Sequence, residues 1–230
     1  MQSGLLLAIG GTALFGLKSI FIKLAYAEGV DTVTLMTLRM LIAMPFYLLM
    51  LGWLLRKPDT QRPIPKELMI ITGLGFLGYY MSSLLDMEGL NYISAQLERL
   101  TLYTYPIITT LLGWLFMKEA ITWRIVMALI LTYSGVVLLY AYETLENSAN
   151  THLGVILVMG AATTFSVYVV FSKHYISRFG SRLFTSIAML ASTVFVLIHF
   201  TATHDFSDLL INNAAWFYAA LLAIFSTLIP

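Results

Sequence analysis

The sequence predicts an all-α integral membrane protein, a polytopic helical bundle of inverted five-helix repeats, and three observations carry that prediction. Of 230 residues, 59% are hydrophobic and 11% charged, where soluble domains run to roughly 25% charged. The apolar residues gather into eight runs, each near the ~20 residues that cross ~30 Å of hydrocarbon as a helix. Between those runs, Lys and Arg occur only in every second link.

The same composition excludes several chemistries. A net charge of +1 without a basic face or recognition motif gives no basis for binding nucleic acid. With no Cys there is no disulfide, thiol nucleophile or thiolate metal site. The four His residues (His152, His174, His199, His204) fall at or beyond the ends of the runs and lack ligand spacing, so neither a metal nor a cofactor is expected. An intramembrane enzyme would need a nucleophile with its base, a metal set or paired carboxylates at depth, and the runs display none of these.

In chain order the runs lie at about 4–26, 32–55, 68–87, 92–117, 123–141, 153–173, 183–200 and 214–230. Each is read as a helix, because a lone segment in lipid must satisfy its own backbone groups. The first is not a secretory signal: it exceeds an h-region in length, lacks a basic leader and carries Lys18 and Lys23. The links after runs two, four and six hold Arg56, Lys57, Arg62 and Lys66, then Lys118 and Arg124, then Lys173, Arg178 and Arg182. The links after the odd runs hold only acids, among them Glu28, Asp31, Asp86, Glu88, Asp205 and Asp208. By the positive-inside rule the N-terminus and the even links are cytoplasmic, in a bacterial-type inner membrane.

Residues Ser94 to Glu119 hold the chemistry, because one apolar run places Glu98 beside Arg99 and then Pro106. Charges inside a span are costly unless they face the bundle interior and meet partners, which makes them functional candidates; the alternative is an ion pair that fixes helix packing. At ~1.5 Å per residue, Lys18 lies ~20 Å up from the cytoplasm, Arg39 ~12 Å down from outside, and Glu98 and Arg99 ~8–10 Å down. All four fall in the outer half and fit one cavity. There Lys18, Arg39 and Arg99 are substrate-binding candidates whose excess positive charge favours a carboxylate, and Glu98 is the candidate for ion coupling. Glu98 is also the one carboxylate that the runs place well inside the membrane. The competing reading has Lys18 and Arg39 snorkelling outward.

Pro106 is the expected helix kink, freeing carbonyls to line a cavity. Tyr103 and Tyr168 are candidates for its polar aromatic wall, although Tyr near helix ends also anchors at interfaces. Gly73-Leu-Gly75-Phe-Leu-Gly78 matches the dinucleotide-binding fingerprint letter for letter, but it lies within an apolar run and not between a strand and a helix. Its glycines are read as helix contacts, as are Ala8, Thr12 and Gly16.

An internal repeat is visible at an offset of 150 residues, which pairs Gly4 with Gly154, Leu7 with Leu157, Gly10 with Gly160, Phe15 with Phe165, Phe21 with Phe171 and Lys23 with Lys173. Five runs separate the copies, so they enter from opposite sides, an arrangement secondary transporters use. The units are placed at 1–142 and 152–230. The second then holds three helices, so eight of an expected ten are present and about 60 residues are expected beyond Pro230.

Gly89-Leu-Asn-Tyr-Ile-Ser-Ala, Leu-Tyr-Thr-Tyr-Pro106, Met-Lys-Glu119-Ala-Ile-Thr-Trp and the run from Ser134-Gly-Val-Val-Leu resemble the EamA family of the drug/metabolite transporter superfamily. Phe21-Ile-Lys23 and Arg39 add to the likeness. The resemblance implies ten helices in two inverted repeats and export or exchange of small metabolites such as amino acids. The expected partners are a small-molecule substrate, the lipid bilayer and a coupling proton or counter-substrate. A polytopic receptor or assembly subunit without transport is the alternative.

Overall fold

The computed structural model describes residues 17–58, 60–146 and 148–228. They form α1 (Lys18–Ala27), α2 (Thr32–Leu55), α3 (Pro65–Gly75), α4 (Ser82–Gly89), α5 (Ala95–Leu102), α6 (Tyr105–Met117), α7 (Trp123–Glu146), α8 (Ser148–Phe179), α9 (Ser181–Thr203) and α10 (Asn213–Ala223). No strand occurs among the described residues. Six helical stretches are long and apolar enough to cross a membrane, and α10 with the turn after it makes a shorter one. Gly4, Ala8, Gly10, Thr12, Phe15 and Gly16 lie outside the described residues, so the repeat pairs and the small-residue face that use them do too.

Local sequence sets the boundaries. Asp31 caps α2 by accepting from the Val33 and Thr34 amides at 2.8 and 3.0 Å, which satisfies donors that the first helical turn leaves open. Pro65 opens α3, with Glu67 accepting from the Ile64 amide at 2.9 Å. Ser94 caps α5 and Asn212 caps α10 in the same way. Gly29 and Gly180, at φ of 85° and 80°, turn the chain between α1 and α2 and between α8 and α9. The run expected at 153–173 is longer in the structure, Ser148–Phe179. No Gly or Pro falls in 148–153 or in 161–179, so nothing local stops the helix at the expected ends.

Run four is broken rather than bent. α5 ends at Leu102 and α6 begins at Tyr105, with Pro106 in its first turn, where a residue without an N–H fits and a continuing helix does not. Ser166 of α8 donates to the Tyr105 carbonyl at 3.0 Å. A second irregularity lies in run three, where α3 passes into a π-helical turn at Phe76–Met81 before α4. The same order recurs near the end of the chain: α3 and α10 are each 11 residues long, and α10 passes into a π turn at Ile224–Leu228.

α2 packs along α9 at the centre of the bundle. α8 lies across α4, α5 and α6, while α10 lies against α1 and α2. The largest core cluster joins Ile22, Leu35, Leu38, Met87, Met189 and Leu222 from five of these helices. Outward, Leu49, Trp123, Leu131 and Leu138 are each more than 70% exposed, as expected of a surface whose solvent is lipid. The two ends differ in charge. At one, Asn212 donates to Glu28 at 3.1 Å and His204 stands 3.3 Å from Asp31. At the other, Lys173 pairs with Glu119 at 2.9 Å and Arg178 pairs with Glu67.

Candidate functional site

α1, α2, α4 and α5 bring five ionisable side chains into one buried region: Lys18, Arg39, Asp86, Glu98 and Arg99. Glu98 is fully buried and Asp86 is 1% exposed. Lys18 Nζ pairs with Asp86 Oδ2. Ser19, the next residue on α1, donates its hydroxyl to Glu98 Oε2 at 2.5 Å. Arg99 Nε stands 3.6 Å from that same oxygen. Arg39, 4% exposed, lies in electrostatic reach of Asp86, and its Nε meets no hydrogen-bond partner among the described residues. Towards the Glu28 end, the Tyr26 hydroxyl donates to the Met87 carbonyl at 2.7 Å and Thr32 donates to Glu88 at 2.7 Å.

These positions correct the sequence reading in three respects. Asp86 does not belong to the link after run three: it lies inside α4, one turn before the chain reverses at Gly89–Ile93, and is buried with Lys18. Glu98 is therefore not the one carboxylate inside the membrane, and three cations face two acids. Lys18 does not snorkel, because its ammonium is held by Asp86. A buried cation in an apolar run needs an anion, and that requirement, which the sequence reading did not apply to Lys18, is the signal by which Asp86 is found.

Tyr168 belongs to a neighbouring group. Its hydroxyl is 2.8 Å from that of Tyr79, with ring centroids 5.1 Å apart, and Phe165 and Phe184 complete the wall. Tyr47, 7% exposed and two turns along α2 from Arg39, donates its hydroxyl to the Thr227 carbonyl at 2.7 Å. Tyr103 closes the C-terminal end of α5, is 37% exposed and makes no side-chain hydrogen bond to the charged cluster among the described residues. Pro106 sits just past the break. Among the described residues no three His, Asp or Glu side chains are grouped as metal ligands are.

An apolar bundle around buried ion pairs is the setting in which the comparisons with known proteins are decisive. The sequence matches the EamA-like transporter family over residues 2–141 and 152–230. The chain belongs to the EamA-like transporter family. It is an integral membrane transporter. An uncharacterized transporter of Bacillus subtilis (strain 168), YcbK, is 25% identical over 234 residues, covering 99% of this chain and 74% of its own. An uncharacterized transporter of Archaeoglobus fulgidus is 26% identical over 208 residues, covering 88% of this chain and 70% of its own. A chain of known crystal structure superposes with a TM-score of 0.68 at 18% identity, covering 97% of this EamA-like chain and 74% of that one, and shares the fold.

Proposed function

We propose that this transporter is a secondary transporter that exports or exchanges a small organic metabolite bearing a carboxylate, an amino acid or related solute, by alternating access. The observation that carries the reading is Arg39, a guanidinium buried among apolar helices with an Nε that meets no hydrogen-bond partner among the described residues. Such a group binds a planar carboxylate in two-point fashion, and Lys18 is already held by Asp86. Arg39 and Arg99 are assigned to the substrate, with Lys18 contributing charge from its ion pair. Tyr168 and Tyr103 are assigned to the wall and mouth of the path, Glu98 to ion coupling and Pro106 to the break that shapes it.

The rocking units are proposed as residues 1–142 and 152–230. The recurrence of an 11-residue helix followed by a π turn in α3 and α10 supports that division, as inverted repeats commonly share their irregular helices. The basic end is assigned to the cytoplasm of a bacterial-type inner membrane, with the N-terminus on the same side.

The test is the melting temperature of the purified protein in lipid nanodiscs against amino acids, organic acids and nucleosides. A ligand bound only by the folded state at ~100 times its Kd adds about 2.7 kcal/mol. We expect one carboxylate class to raise the melting temperature in the native protein and not in Arg39→Ala. A rise that survives in Arg39→Ala, or no rise with any compound, overturns the assignment.

A further inference from the structure

The two buried carboxyls are arranged in a way that single-carboxylate coupling does not explain. Lys18 meets Asp86 at Oδ2, and Ser19 and Arg99 meet Glu98 at Oε2. The remaining oxygens, Asp86 Oδ1 and Glu98 Oε1, are buried and receive no donor among the described residues. Lys18 and Ser19 are consecutive on α1, so the carboxyls they hold, Asp86 on α4 and Glu98 on α5, face the same stretch of that helix, and each feels the charge of the other. Two ionised carboxylates held side by side in a buried site repel, and leaving both oxygens bare forfeits a hydrogen bond at each. One proton between them removes both penalties.

We propose that Asp86 and Glu98 bind a single proton between them, so that the protonatable site of this transporter is a carboxyl pair and Asp86 is one of its two members. The proton comes from water and returns to water; no bond other than O–H forms or breaks. The charged and titratable groups facing the pair are Lys18 and Tyr26 from α1, Arg39 from α2 and Arg99 on α5. α8, which covers α4 and α5, contributes the apolar Val158, Ala161 and Ala162 there.

α1 is the element that tunes the site, because it supplies both Lys18 and Ser19 while α4 and α5 hold the carboxyls. Withdrawal of α1 takes away a cation and a donor that favour the ionised form, and so raises proton affinity without moving either carboxyl. The role of this proton in coupling rests on the transport reading above; its presence does not.

The experiment is infrared difference titration of the purified protein in nanodiscs, reading the carbonyl band of a protonated carboxyl and its shift in D2O. We expect one such band at neutral pH, lost entirely in Asp86→Asn as well as in Glu98→Gln, since the survivor in each case ionises beside Lys18. A band that persists in Asp86→Asn assigns the proton to Glu98 alone and overturns the proposal, as does the absence of any band in the native protein. If neither carboxyl variant folds, Ser19→Ala keeps all five charges and must move the titration to higher pH; an unmoved midpoint overturns it. A negative ligand panel with the band present rejects transport of those solutes and leaves the pair standing. A positive panel without the band rejects the pair alone.

Discussion

Gly78 lies so close to the ring of Tyr168 that a Cβ built on it would stand 2.3 Å from the ring carbon Cγ. Three glycines that spell a nucleotide-binding motif thus have different tasks in a membrane helix. At Gly75 a Cβ would stand 2.4 Å from the Ala188 carbonyl oxygen, whereas at Gly73 it would meet nothing within 4 Å. Gly75 lets α3 touch the backbone of α9, and Gly78 gives the π turn its place for Tyr168.

Gly75→Ala and Gly78→Ala are therefore each expected to destabilise by about 1–3 kcal/mol, the usual result of overpacking. Gly73→Ala should be neutral or stabilising by up to ~1 kcal/mol through helix propensity. Thermal unfolding in matched detergent checks the order, and a drop at Gly73 equal to that at Gly75 would contradict it.

Gly89 and Gly154 meet where α4 crosses α8. A Cβ on Gly89 would stand 3.0 Å from the Gly154 carbonyl oxygen, and one on Gly154 would stand 3.1 Å from that of Gly89. Each single alanine should force the same separation, so Gly89→Ala with Gly154→Ala should cost less than the sum of the two alone. Additive losses in a double-mutant cycle would show that the two contacts yield independently.

Lys18 and Lys173 both stand in apolar helices and both pair with an acid, but their surroundings differ. The Lys18 and Asp86 side chains are 7% and 2% exposed, those of Lys173 and Glu119 50% and 52%. Removing one partner of a buried pair typically costs about 3–5 kcal/mol, an exposed pair about 0–1. Chemical unfolding of Lys18→Met and Lys173→Met should reproduce that contrast, and equal effects would sink it.

Asp31 gives the stability a pH dependence outside the spans. Burial alone would raise its carboxyl, but hydrogen bonds with Thr34, the charge of His204 and the Val33 amide outweigh it and hold the group below its ordinary 3.8. A folded-state value below the unfolded one stabilises above about pH 4 and loses that contribution as pH falls through the lower value. Asp31→Asn keeps a capping side chain but does not titrate. The native protein should exceed Asp31→Asn in melting temperature at pH 6, with the gap closing below about pH 4; a gap constant with pH would refute the cause.

Much of the architecture was legible without coordinates. Run length, hydropathy and the alternation of basic and acidic links each act locally or along the membrane normal, so they survive as one-dimensional patterns. Pro106 marks an irregularity in run four because its effect is confined to a turn or two. The family likeness rests on the same kind of local pattern.

The site was only half legible for the same reason. Lys18, Arg39, Glu98 and Arg99 stand out as charges in apolar runs, yet sequence carries no rule for which of them meet across helices. Asp86 looked like a link residue because hydropathy cannot fix a helix end to within a turn. Its place opposite Lys18, next to the Glu98 that Ser19 holds, arises when α4 reverses into α5 against α1. Composition and periodicity determined that this chain is a helical membrane protein with charges inside it. Which charge faces which was decided by tertiary packing, because residues 68 or 79 positions apart, as in Lys18–Asp86 and Ser19–Glu98, become neighbours only once the bundle closes.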